Sequence, residues 1–251
     1  ELDGRLRKAR NVYVVGPACF PTLGSANPSL TAFTLAKRTA GAIHANARLD
    51  TSAFNAEGAV FNATDFKRLS LAQVDWTAVR FDGSNAPVRH LGEVIETAGP
   101  YGLIWYTRES FADFVLRVDW RVARNDDNSG VYIRVPPVTT QNPLREADSQ
   151  GHEIQIDERG FDSTTNTEGN PLKRTGALYD LAAPSAIVSR RIGWWNTFLI
   201  RAKGKKISVW LNGKRVIDEF ESSRRTEGSI AIQAHHGTSR AQFRNFMIAR
   251  L

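Results

Sequence analysis

The 251-residue chain carries a net charge of +7, with 41% hydrophobic and 24% charged residues, the balance of a folded globular protein rather than a disordered one. No apolar run approaches the ~20 residues of a membrane helix, so no membrane partner is expected. The lone cysteine, Cys19, excludes an intrachain disulfide and a multi-cysteine metal cluster, and it leaves the compartment open, because an exported protein can lack disulfides.

The surplus Lys and Arg residues are scattered, with short clusters only at Lys203 to Lys206 and at Arg224-Arg225. Neither cluster is interleaved with aromatics and no nucleic-acid motif is present, so nucleic acid is not an expected partner. The chain opens on Glu1, and ELDGRL reads as the interior of a longer protein.

Two textures meet near residue 50. The first, residues 1–45, reads as strand, turn and helix: VYVVG at 12–16, then a Pro- and Gly-rich connection, then SLTAFTLAKRTAGAI. Asn27 followed by Pro28 is a helix start, with Asn as cap and Pro at the first helical position. A polar linker covers residues 46–59. From residue 60 onward short β segments follow one another, separated by turn signals, which predicts an all-β, two-sheet antiparallel sandwich over 60–251.

Within that region FVLRVDWRV alternates strictly, placing Leu116, Val118, Trp120 and Val122 on one face. GVYIRV sets Val131, Ile133 and Val135 against Tyr132 and Arg134. In GHEIQIDERG, His152, Ile154 and Ile156 share one face while Glu153, Gln155 and Asp157 share the other. KISVWLNGKRVI is a hairpin with Asn212-Gly213 at its turn. SIAIQAHH puts Ile230 and Ile232 opposite Gln233 and His235. Residues 136–149 and 161–173 read as long loops, a length often tied to function.

Three strands thus pair an apolar face with capable hydrogen-bonding groups. If they are neighbours, Tyr132, Arg134, Glu153, Gln155, Asp157, Gln233 and His235 make one surface suited to the hydroxyls of a sugar, with an acid/base pair included. The competing reading is a solvated sheet face. His152 belongs with the apolar side as a packed histidine, and His236 with a turn. Glu153 and His235 together offer two ligands to a divalent ion, too few to define a metal site. No Gly-x-Ser-x-Gly, HExxH or phosphate loop is present.

The blocks FADFVLRVDWRV, NSGVYIR, GHEIQID, TGALYD, GWWN, KISVWLNG and GSIAIQAHHG, ending in FRNFMIARL, resemble the 3-keto-disaccharide hydrolase family in order and spacing. FNATDFKRL departs from that family's usual opening motif. The resemblance implies a concanavalin-like jelly roll that acts on glycosides whose C3 hydroxyl has been oxidised to a ketone. It also implies Glu153, His235 and Arg134 as catalytic groups, and Asn128, Gln155, Tyr179 and Gln233 as substrate binders, to which the polar face of GHEIQIDERG adds Asp157. The division of base and acid between Glu153 and His235 stays open. The alternatives are a carbohydrate-binding module without catalysis and a tethering domain.

The N-terminal NVYVVGPACFPTLGSANPSLTAFTLAKRTAGAI resembles the C-terminal end of a glucose–methanol–choline flavin oxidoreductase, where the residue matching Asn27 lies beside the flavin. The Gly-rich fingerprint and catalytic His of that family are absent here. No bound flavin is therefore expected, and the oxidoreductase is expected as an upstream domain of the full-length protein.

Overall fold

Strict alternation in FVLRVDWRV builds the central strand of the larger sheet, because every second side chain can then face the opposite layer. The computed structural model describes residues 53–251 apart from 81, 87, 98 and 139–141. The strand, helix and Asn27 cap expected within residues 1–45, and the first part of the 46–59 linker, lie outside the described residues. Asn55–Leu251 packs as one unit.

The sandwich strands are β1 (Lys67–Arg68), β2 (Trp76–Arg80), β3 (Asn85–Ala86), β4 (Arg89–His90), β5 (Ile95–Thr97), β6 (Gly102–Tyr106) and β7 (Phe114–Val122). They continue with β8 (Asn128–Val135), β9 (His152–Asp157), β10 (Asn196–Lys203), β11 (Lys206–Leu211), β12 (Lys214–Glu221), β13 (Ser229–Ala234) and β14 (Ala241–Arg250). All pair antiparallel. One sheet runs β9-β8-β13-β6-β2-β3; the other runs β12-β11-β10-β7-β14-β5-β4, with β1 also on β14. The fold is a two-sheet antiparallel sandwich, as the alternation and turn signals predicted.

Between the sheets lie Leu116, Val118 and Trp120 of β7, Phe198 of β10, Phe243 and Phe246 of β14, and Val131, Ile133, Ile154, Ile156 and Ile232 of the first sheet, all fully buried. Each such side chain contributes about 1.5–3 kcal/mol by leaving water. The Asn212-Gly213 turn closes β11 onto β12 with positive φ at both residues, 52° and 88°, as a type I′ hairpin requires. His152 is fully buried and its Nε2 lies 2.7 Å from Ser222 Oγ, so it packs as expected. Among the described residues no helix is long and apolar enough to cross a membrane.

Two expectations change. The 136–149 segment is not all loop: Pro143–Gln150 forms helix α1, with Pro143 in its first turn. Leu144 and Ala147, three residues apart on one helix face, bury against Tyr132, Val135 and Ala231 on the outer side of the first sheet. Val135 also leaves the central core, where alternation had placed it, because the strand register shifts between Tyr132 and Val135, and α1 covers it there.

Candidate active site

The three strands with mixed faces are adjacent, in the order β9-β8-β13. Register sets Tyr132 opposite Glu153, Gly130 opposite Gln155 and Asn128 opposite Asp157. The resulting cleft, about 280 Å³, is lined by Asn128, Tyr132, Glu153, Gln155, Tyr179, Gln233 and His235, with Tyr101, Asp148, Phe161, Ser163, Asp180 and Arg224 around them. A wider hollow of about 790 Å³ elsewhere, lined by Leu71, Arg108, Phe111 and Arg250, is less suited to chemistry. Arg108 and Arg250 are paired there with Asp75 and Glu109, and no buried polar atom is left without a partner in it.

Four buried polar atoms of the smaller cleft have no protein partner: Asn128 Oδ1, Glu153 Oε1, Gln233 Oε1 and His235 Nδ1. Orphaned buried polar atoms are costly, so four of them in one cleft point to a polar ligand. The amide nitrogens beside two of these atoms are engaged. Asn128 Nδ2 donates to Asp157 Oδ2 at 3.1 Å, and Gln233 Nε2 donates to Tyr132 Oη at 3.3 Å. Gln155 Oε1 accepts from the backbone N–H of Ile156 at 3.1 Å. Among the described residues no three His, Cys, Asp or Glu side chains group as a metal centre would need.

TGALYD positions Tyr179. Thr175, Gly176, Ala177 and Tyr179 bond the backbone of β9 along its free edge, with Tyr179 N–H donating to Glu153 O at 3.0 Å. Covering the edge this way also removes a sticky unpaired strand. Lys173 Nζ donates to Tyr179 Oη at 2.9 Å and pairs with Asp180 at 3.0 Å.

Gly130 makes room for the Glu153 carboxyl. A β-carbon on Gly130 would stand 2.7 Å from Glu153 Cγ and closer still to Oε1. Gly130→Ala should therefore push the carboxyl out of place. Turnover should fall by about 10-fold or more while the thermal midpoint moves little, which steady-state kinetics beside a melting curve would check.

Arg134 is not part of this cleft. The β8–β13 register shifts between Tyr132 and Val135, and Arg134 has φ 54°, so a bulge turns its side chain away from the polar face. Its guanidinium instead donates to Ala112 O at 3.0 Å and to Gly204 O at 2.7 Å, and pairs with Asp113 at 3.3 Å, tying the ends of β7, β8 and β10. Arg224, noted in the sequence only as half of a basic pair, is the guanidinium that lines the cleft; its Nη1 donates to Asp148 O at 3.0 Å and Gly151 O at 2.8 Å.

Asp157 is likewise not positioned as a binder. Its carboxylate is fully buried and accepts from Arg159 N at 2.9 Å, Phe161 N at 3.0 Å and Asn128 Nδ2 at 3.1 Å. Those bonds fold the turn that carries Phe161 and Ser163 to the cleft.

Sequence reasoning missed Asp148 and Tyr101. Asp148 sits on α1, in the segment read as loop, and Tyr101 precedes β6; Asn142 followed by Pro143 and the Leu144–Ala147 spacing were the local signals for the helix. Tyr101 Oη donates to Asp148 Oδ2 at 3.2 Å, and its ring meets that of His235 edge-on at 6.0 Å.

Burial pushes the Glu153 carboxyl up to about 8, against a hydrogen bond from Tyr132 that favours the carboxylate, with the Asp148 charge adding to the rise. Burial holds His235 down at about 4, helped by His236 and Arg159. At neutral pH Glu153 therefore carries a proton and His235 does not. Burial also raises the Tyr179 phenol, so it stays neutral.

Two crystal structures of inferred glycosyl hydrolases from Parabacteroides distasonis ATCC 8503 share the fold. One is 22% identical, covering 71% of this chain and 89% of its own with a TM-score of 0.58. The other is 24% identical, covering 74% and 99% with a TM-score of 0.57. No curated protein matches the sequence. The family model described as the 3-keto-alpha-glucoside-1,2-lyase-like domain matches residues 57–249, almost the whole described sandwich, and the chain belongs to that family.

Proposed function

We propose that this domain cleaves 3-keto glycosides by removing the C2 proton and eliminating the group at C1. The observation that carries the reading is a buried carboxyl and a largely buried imidazole lining the same cleft, each with one buried atom unpartnered, where burial favours the neutral form of both. The chemistry follows from the ketone. A carbonyl at C3 acidifies the C2 proton and lies β to the oxygen on C1. His235 takes the C2 proton, the C1–O bond breaks as the C1=C2 bond forms, and Glu153 protonates the departing oxygen. Water then adds across the double bond, its oxygen to C1 and a proton to C2, giving the 3-keto sugar. Arg224 lines the cleft where a cation can stabilise the developing enolate. Asn128, Gln155, Tyr179 and Gln233 bind the hydroxyls.

In the full-length protein, residues 1–45 are the end of an upstream flavin oxidoreductase, residues 46–59 a linker and residues 60–251 the cleaving domain. The oxidoreductase would supply the ketone. That arrangement rests on the sequence resemblance of residues 1–45.

A domain that only binds carbohydrate is the alternative, but binding alone gains little from burying a carboxyl. The deciding experiment incubates the protein with a 3-keto glycoside in heavy water and follows C2 of the released sugar by NMR. Deuterium at C2, with the unoxidised glycoside untouched, is the expected result. Cleavage without deuterium at C2 argues against the elimination route. Equal cleavage of the unoxidised glycoside excludes any need for the ketone. Binding without cleavage would leave the module standing.

A further inference from the structure

Asp148, Tyr132 and Glu153 form a line from the exposed side of α1 to the buried floor of the cleft. Tyr132 Oη lies 2.8 Å from Asp148 Oδ1 and 2.9 Å from Glu153 Oε2, and it accepts from Gln233 Nε2 at 3.3 Å. A phenol has one proton, so it cannot donate to two carboxylates. For both short contacts to be hydrogen bonds, one of the two carboxyl groups must hold a second proton. Two arrangements satisfy this: Glu153 donates to Tyr132 and Tyr132 to Asp148, or the chain runs the other way. They differ by the shift of two protons along bonds already formed, and no heavy atom has to move.

The two oxygens of Glu153 are thereby divided. Oε2 is bound to the phenol, while Oε1 is buried and unpartnered in the cleft. Asp148 is exposed at the far end and held there by Tyr101, whose hydroxyl donates to its other oxygen.

We infer that Asp148 and Tyr132 are a proton relay that reloads Glu153 through Oε2 after Oε1 has given its proton to the leaving group. The step balances. The Glu153 carboxylate takes the phenolic proton on Oε2, Tyr132 takes one from Asp148, and Asp148 regains it from water. A half-turn of the carboxyl about Cγ–Cδ then exchanges the two oxygens and carries the proton to the cleft. This rests on Glu153 acting as the acid, and the two residues act through Glu153 rather than on the sugar.

The test uses Tyr132→Phe and Asp148→Asn in the full chain, read two ways. In rapid mixing with a 3-keto glycoside, later turnovers should slow by about 10-fold more than the first, because reloading is the step impaired. First and later turnovers falling together, or neither falling, would overturn the relay. The second readout needs no turnover. The carboxyl stretch of Glu153, isolated by infrared difference against Glu153→Gln, is followed with pH. Tyr132→Phe removes a bond that favours the carboxylate and should raise the titration point; Asp148→Asn removes a like charge and should lower it. Opposite shifts support the coupling, and an unmoved titration in both variants overturns it. If the wild-type protein does not turn over the substrate, the proposed function and the reloading role fail together, while the infrared result still decides whether Asp148 and Tyr132 are coupled to the Glu153 proton.

Discussion

Glu153→Gln is expected to lower kcat on a 3-keto glycoside by about 10²-fold or more, and His235→Ala by a similar factor, the usual share of a positioned acid or base. Gln copies the shape and neutrality of the protonated acid but has no proton to give. Substrate affinity should therefore change little, and the loss should fall on kcat. The pH dependence carries the sign of the assignment. Glu153 works as an acid only when protonated, so activity should fall as pH rises through about 8. His235 works as a base only when neutral, so activity should also fall as pH drops through about 4. A plot of kcat/KM against pH should be bell-shaped between those limits, and Glu153→Gln should flatten its alkaline side. An activity that climbs through pH 8 would reverse the roles, with Glu153 as base. Wild-type kinetics that survive both substitutions would remove these residues from the chemistry altogether.

The second large effect is on stability. Asp157→Ala should destabilise the domain by about 3 kcal/mol or more, because two backbone N–H groups and the Asn128 amide lose their shared buried acceptor at once. The turn from Asp157 to Phe161 should loosen first, and protease cleavage there should accelerate. Denaturant unfolding gives the magnitude, and kinetics on the folded protein give the contrast. A midpoint that stays at the wild-type value while KM rises would restore Asp157 as a substrate binder.

The period-2 pattern of β8, β9 and β13 told which side chains share a face, because alternation is a property of extended backbone and needs no tertiary information. Glu153, Gln155, Gln233 and His235 were legible for that reason, as were the core positions Leu116, Val118 and Trp120. The Asn212-Gly213 turn was legible from its dipeptide, and Asn128 and Tyr179 through the family blocks alone.

Three things belong to the tertiary structure. Arg134 left the polar face because a bulge adds a residue to one strand relative to its partner, and GVYIRV holds no glycine there to announce it. Asp148, Tyr101 and Arg224 reached the cleft from α1 and from the segments before β6 and β13, places far apart in the chain that only packing brings together. The proton on Glu153 was also not written in its neighbours in sequence. It follows from full enclosure by β8, β13 and the 175–180 edge segment, since the cost of a buried charge is set by everything that excludes water from it.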